Sequence, residues 1–180
     1  MGTPSAAIDP QNELVAASRE RAVSSLSPRE RLTHGLTAAL FVVAAAGLAA
    51  GDLPQSEAAW LLALLFVATV ALASRIELEV GSGFASPEEL VLIPMLFALP
   101  AGWVPAVVAL GLVLGQLPSY LRGRVPTQRI IVSIGNASST LAPALVFLLF
   151  YDPSAGPVEW AALTAVAVCA QLIGDGAISI

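Results

Sequence analysis

Apolar residues in this chain fall in long blocks separated by short polar ones. Five blocks, at 32–50, 58–74, 103–121, 128–150 and 158–180, are 17 to 23 residues long and carry at most two charged residues each. At about 1.5 Å per residue, helices of that length match a bilayer core of about 30 Å. A sixth block, 87–100, is interrupted by Pro94 and stopped by Pro100. Its apolar part makes roughly 20 Å of helix. It is therefore either a broken or tilted span, or a re-entrant segment held inside protein.

The polar gaps carry start and stop signals. Ser27-Pro28-Arg29-Glu30 combines a capping serine, proline at the first helical position and a capping-box glutamate. Ser56-Glu57 opens the second segment, and Ser86-Pro87-Glu88-Glu89 the third, again with a cap and proline in the first turn. Stops fall at Gly51-Asp52-Leu53-Pro54, at Arg122-Gly123-Arg124-Val125-Pro126 and at Asp152-Pro153-Ser154-Ala155-Gly156-Pro157. Residues 76–80 alternate Ile-Glu-Leu-Glu-Val and lead into Gly81-Ser82-Gly83. Between membrane spans this reads as a short extended linker and a flexible loop. Residues 1–27 are polar and Ala/Ser-rich, with a weak stripe of Leu14, Val15, Ala22 and Leu26. They predict a disordered tail or an amphipathic segment on the inner leaflet, not a cleaved signal peptide.

Composition agrees with the blocks. The chain is 57% hydrophobic and 12% charged, with a mean hydropathy of +0.82, whereas a soluble domain carries about 25% charged residues. The expected fold is an all-α integral membrane protein of about six transmembrane helices.

Charge orients it. All eight cations are arginines. Arg19, Arg21, Arg29 and Arg31 precede the 32–50 block, Arg75 follows 58–74, and Arg122, Arg124 and Arg129 lie where 103–121 gives way to 128–150. The loops 51–57, 100–104 and 152–159 carry no cation. Cations near spans mark the cytoplasmic side, so Arg29, Arg31, Arg75, Arg122, Arg124 and Arg129 put both termini in the cytoplasm. Lysine is absent and Ala, Leu, Val, Gly and Pro are abundant, the composition of a high-GC bacterial source. The expected location is the bacterial inner membrane. A net charge of -5 without a basic patch argues against nucleic acid.

The chemistry is sparse. A single cysteine, Cys169, excludes an internal disulfide and a Cys-rich metal site; it reads as a small packing residue. The single histidine, His34, sits at the edge of the first span, with no second histidine for a metal site. Glu77, Glu79, Glu88 and Glu89 lack the spacing of a calcium loop and read as solvated. Gly81-Ser82-Gly83 opens like a phosphate loop but lacks the third glycine and the βαβ context. No nucleophile–base–acid set and no cofactor motif is present, so this stretch is not expected to be an enzyme. Gly111 and Gly115, one turn apart, allow another helix to approach closely, either within the chain or from a second copy in a homodimer.

Polar residues inside the blocks are the remaining signal. Gln116, Ser133, Asn136, Ser139, Gln171 and Asp175 lie in or beside apolar runs. Polar groups in hydrocarbon need partners or water. Ser133, Asn136 and Ser139 share a face at spacing three; Gln171 and Asp175 share one at spacing four. They predict a polar cluster between the last three helices. Inter-helix hydrogen bonding is the plainer account, and a small-molecule pocket or a transmission relay the functional one.

Residues 79–108 (EVGSGFASPEELVLIPMLFALPAGWVPAVV) and the following GLVLGQLPSYLRGR resemble the N-terminal membrane region of actinobacterial signalling proteins. Those chains join a multi-helix membrane module to a cytoplasmic diguanylate cyclase (GGDEF) or HD-type phosphohydrolase domain. The resemblance covers roughly 75–180 and rests on Gly83, Pro87, Pro94-Met95-Leu96-Phe97, Leu99-Pro100, Arg122, Arg124, Gln171 and Asp175. It implies a sensory or anchoring input module feeding a cyclic-di-GMP output domain, expected in the cytoplasm after residue 180. No catalytic residue carries over. The alternative is a small-molecule transporter or a substrate-binding transporter subunit, because proline-broken segments point to midplane substrate sites.

The arginine pattern makes a direct prediction. A reporter active only outside the cytoplasm should work when fused after Asp52 or Asp152 and fail after Arg124; activity after Arg124 would overturn the topology.

Overall fold

A computed structural model describes residues 25–53, 56–76, 78–80, 83–85 and 88–178. Helix α1, Pro28–Gly51, begins as its sequence requires. The Glu30 amide donates to Ser27 Oγ at 3.3 Å and the Ser27 amide to Glu30 Oε2 at 2.8 Å, closing a capping box over amides that would otherwise be unpaired. Only Ala38, Phe41 and Ala45 are buried, one stripe at helical spacing. Helix α2, Glu57–Ala73, is capped by Ser56 and buries Ala63, Val67, Val70 and Ala73.

The outward faces are apolar too. Leu32 is 74% exposed, Leu61 71% and Val158 82%. A helix apolar all round needs an apolar surrounding. Pro28–Gly51, Ala101–Leu121 and Thr127–Phe150 are each long and apolar enough to cross a membrane; Glu57–Ala73 and Pro157–Ile173 are shorter apolar helices.

After α2 the chain departs from pure helix. Leu78–Val80 (β1) and Gly83–Ala85 (β2) pair antiparallel, with Glu79 opposite Phe84. The expected linker and loop thus contain a pair of antiparallel strands. The alternation of residues 76–80 was a strand signal after all, and pairing satisfies backbone groups that a free linker would leave open. Apart from this hairpin, the described elements are helical. The side chains of residues 77–89, including Glu77, Glu79, Glu88 and Glu89, lie outside the described residues, as does the tail 1–24.

Helix α3, Glu88–Ala98, has eleven residues and contains Pro94. It is about 16 Å long, half a bilayer core. Leu92, Met95, Leu96 and, just past its end, Leu99 are buried. It contacts α2 and the helix that follows it, and its Leu92 and Leu96 line a small cavity together with side chains of the last two helices. A 3₁₀ turn, Ala101–Trp103, leads into α4, Val104–Leu121. Helix α4 ends at Gly123, whose φ of 66° permits paired carbonyl capping. Gly123 N donates to Tyr120 O at 3.0 Å and Arg124 N to Ser119 O at 3.0 Å, a Schellman arrangement.

The next run is segmented into a 3₁₀ turn Thr127–Arg129, α5 (Ile130–Asn136), a second 3₁₀ stretch Ala137–Thr140 and α6 (Leu141–Phe150). Helix α7, Pro157–Ile178, follows a turn in which Asp152 Oδ1 accepts from Ser154 N at 2.8 Å and Ser154 Oγ at 2.7 Å. Those bonds, the hydroxyl's first, hold the Asp152 carboxyl below its usual range.

Helix α2 packs most extensively along α4, α1 against α5, and α6 against α7. The α2–α4 pairing depends on glycine. A Cβ at Gly111 would lie 2.6 Å from Val70 Cβ, and one at Gly115 would lie 2.8 Å from the Ala71 carbonyl. The glycine pair therefore serves an intramolecular approach.

Contacts sort the loops into two ends. At the arginine-free end, Gly102 N donates to Asp52 Oδ2 at 3.1 Å and Trp103 Nε1 to Ala49 O at 3.1 Å. Trp60 meets Trp103 edge-on at 4.6 Å, and Phe97 meets Tyr151 and Trp160 at 5.8 and 6.1 Å. At the other end lie the starts of α1 and α5 and the ends of α2 and α4, with Arg129 close enough to act on the Glu30 carboxylate.

Gly111→Leu should lower stability in detergent by about 1–3 kcal/mol through overpacking against Val70, read from thermal unfolding. Gly47→Leu is the control, since a Cβ there meets nothing within 4 Å. Equal effects would show that the α2–α4 approach does not govern stability.

Candidate functional site

The sequence Asn136-Ala137-Ser138-Ser139-Thr140 sets up competition with the helix backbone. Short hydroxyl side chains bond nearby carbonyls and loosen regular helix. Here Ser138 Oγ donates to Gly135 O at 2.5 Å, Ser139 Oγ to Asn136 O at 3.3 Å and Thr140 Oγ1 to Ala137 O at 2.6 Å. Each spans three residues, and the backbone tightens to 3₁₀ over the same stretch. Pro143 reinforces the break, because it has no amide to give the Ser139 carbonyl. Ser139 and Thr140 are the buried polar residues among those described. A 3₁₀ stretch inside a longer helical run is a usual place for a hinge. This one touches α1, α4, α6 and α7.

The predicted polar residues are distributed over separate contacts. Ser133 Oγ is 2.9 Å from the Tyr120 hydroxyl, tying α5 to the end of α4. Ser139 bonds only within its own stretch. Asn136 is exposed, and Gln116 and Gln171 are half-buried; among the described residues their amides make no hydrogen bond. Gln171 lines a cavity of about 10 Å³ with Leu92, Leu96, Pro143, Phe147 and Thr164, room for about one water molecule. Asp175 lies in α7, but its side chain is outside the described residues. The structure brings together Ser133 with Tyr120, and Gln171 with Thr164 at the α3–α6–α7 contact.

Sequence reasoning missed Tyr120, whose signal was a hydroxyl-bearing aromatic just before a glycine stop. It also missed the Asp52–Gly102 and Trp103–Ala49 bonds, which join residues about fifty positions apart. Arg75, counted only for topology, also donates from Nε to Gly115 O at 3.0 Å, within reach because position 115 has no side chain. Cys169 is exposed on α7. A packing role for it does not hold in the chain alone, because only one face of α7 meets α6. His34 is half-buried near the start of α1. Among the described residues, no group of three His, Cys, Asp or Glu side chains could hold a metal ion.

Two larger apolar spaces flank α4. One, of about 330 Å³, lies between α1 and α4; the other, of about 150 Å³, lies between α2 and α4. Both are lined almost wholly by carbon.

The last helix is held on one face. Among residues 157–173 only Ala167 is buried, and α7 packs on α6 and the 3₁₀ stretch. A change of register at residues 137–140 would therefore be felt by α7 directly. No protein family, curated protein or solved structure matches the chain.

The Tyr120–Ser133 bond makes a measurable claim. In a double-mutant cycle with Tyr120→Phe and Ser133→Ala, unfolding in detergent should give a coupling of about 0.6 kcal/mol. Strict additivity would mean that the bond does not form in the folded protein.

Proposed function

We propose that this chain is the membrane-embedded input module of a bacterial signalling protein. In this reading six segments cross the inner membrane, α3 as a half-length helix, with the arginine end and both termini in the cytoplasm. The 3₁₀ break is the element that moves, and α7 is the element that carries its movement to a cytoplasmic output domain. The output is cyclic-dinucleotide turnover, an expectation that rests on the resemblance of residues 75–180 to GGDEF- and HD-linked membrane regions.

The observation that carries the proposal is the attachment of α7 (one face, centred on Ala167, docked on α6 and the segment whose helical hydrogen bonds are interrupted). A helix gripped on one side can shift without dismantling a core. Signalling further requires two states that differ in their affinity for a stimulus. The unpaired amides of Asn136, just before the break, and Gln171, on α7, are the groups whose partners would change between such states.

The alternative is transport. It is favoured by the interrupted 127–150 run and the half-length α3, the discontinuities that mark substrate sites in transporters. Against it, the hydroxyls of the break are turned onto their own backbone and the larger spaces are apolar. Uptake of a polar solute by vesicles containing the chain would decide for transport.

Replacing Asn136 and Gln171 together by leucine in the natural full-length gene product should change cyclic-dinucleotide turnover in membranes about fivefold or more, the lower range of allosteric coupling. Unchanged turnover with normal protein levels would favour an inert anchor.

A further inference from the structure

Helices α2 and α4 run side by side in the same direction. Val70 meets Gly111, and Ser74, four residues on, meets Gly115. Their seam ends in arginine twice. Arg75 follows the last turn of α2 and donates from Nε to the Gly115 carbonyl at 3.0 Å. That bond lays the guanidinium against α4, and among the described residues its terminal nitrogens make no further hydrogen bond. Arg122 caps the end of α4, seven residues after Gly115. Seven residues make about two turns, so Arg122 stands on the face of α4 that carries Gly111 and Gly115. Helical side chains lean toward the N-terminus, which directs Arg122 back along the seam toward Arg75.

The seam does not balance these charges. Among the described residues neither guanidinium has a carboxylate within ion-pairing distance, and like charges on one seam repel. Ser119 lies between them, half-buried, with a hydroxyl that makes no hydrogen bond among the described residues. Two guanidinium forks and a free hydroxyl match the oxygens of a phosphate, which arginine binds through paired N–H groups. A soluble phosphate would meet the same donors. Leu72 on α2 and Leu121 on α4, both exposed beside the arginines, favour a phosphate carried on acyl chains. Basic pockets between membrane helices are established sites for anionic headgroups.

We propose that Arg75, Ser119 and Arg122 form a binding site for the phosphate of an anionic phospholipid, of the phosphatidylglycerol type, in the leaflet at the arginine end. The phosphate lies between the two guanidinium groups, cancels their repulsion and ties the end of α2 to the end of α4. The inference rests on insertion of the chain in a bilayer and is independent of any signalling role.

The test is native mass spectrometry of the purified chain offered equal amounts of phosphatidylglycerol and phosphatidylcholine with the same acyl chains. The wild type should retain phosphatidylglycerol about tenfold better, the ratio expected from two arginines beside one net negative charge. Arg75→Gln and Arg122→Gln should each reduce that preference to about threefold or less. Arg31→Gln removes the same charge from the start of α1, which packs on α5, and should leave the preference intact. Equal retention by the wild type, an unchanged preference in Arg122→Gln, or an equal loss in Arg31→Gln overturns the proposal. Excess glycerol phosphate should not displace the lipid; displacement would assign the arginines to a soluble phosphate and overturn the lipid site. A marked gain in retention when Glu77 and Glu79 are both replaced by Gln would show that those carboxylates occupy Arg75, and overturns it too. If Arg75→Gln fails to fold by circular dichroism, the Arg122→Gln result decides, because Arg122 is exposed at a helix end. Release of the chain from membranes by a carbonate wash would instead overturn the membrane reading beneath it.

Discussion

A backbone amide or carbonyl inside an apolar layer has no water to turn to and must find a partner within the protein. Much of this architecture answers that demand. Ser27 and Glu30 close the start of α1, and Ser56 caps α2. Gly123 folds the end of α4 back on its own carbonyls. At the arginine-free end, where α1 stops and α4 starts, Asp52 takes the Gly102 amide and Trp103 covers the Ala49 carbonyl. A Cβ at Gly102 would come 2.5 Å from the Leu48 carbonyl, so the bond depends on a bare backbone.

The same demand explains why some parts are tight and others loose. Helices α2 and α4 meet backbone to backbone through Gly111 and Gly115, and that approach lets Arg75 reach the Gly115 carbonyl. The 127–150 run is different. Its hydroxyls satisfy carbonyls three residues back, so the segment is closed electrostatically without regular helix. What it loses in helical order it keeps in hydrogen bonds. Helix α7 docks against it on one face. Helix α1, held by a stripe of only three buried residues, leaves an apolar space between itself and α4.

Much of the helical layout was legible in the chain. Capping serines, prolines at first turns, and glycine or proline stops are local signals, and the helices begin and end close to them. The half-length α3 was foreshadowed by Pro94 and Pro100. The hairpin of 78–80 and 83–85 was written in the Ile-Glu-Leu-Glu-Val alternation but was obscured by the expectation that everything between spans is linker. The polar residues were the least legible. Spacing placed Ser133, Asn136 and Ser139 on one helical face, but that face exists only if the helix is regular, and at Ala137–Thr140 it is not.

The sequence by itself determined that the chain is helical, that its surface is apolar, and that its arginines gather on alternate loops. Those properties follow from residue type and local order, which need no partner to act. Only the tertiary structure decided that α2 rather than α1 lies on the glycine face of α4, that Ser133 meets Tyr120, and that Asp52 reaches Gly102. Each of these is a meeting of groups far apart in the chain, settled by which small residues let two backbones come close enough to bond.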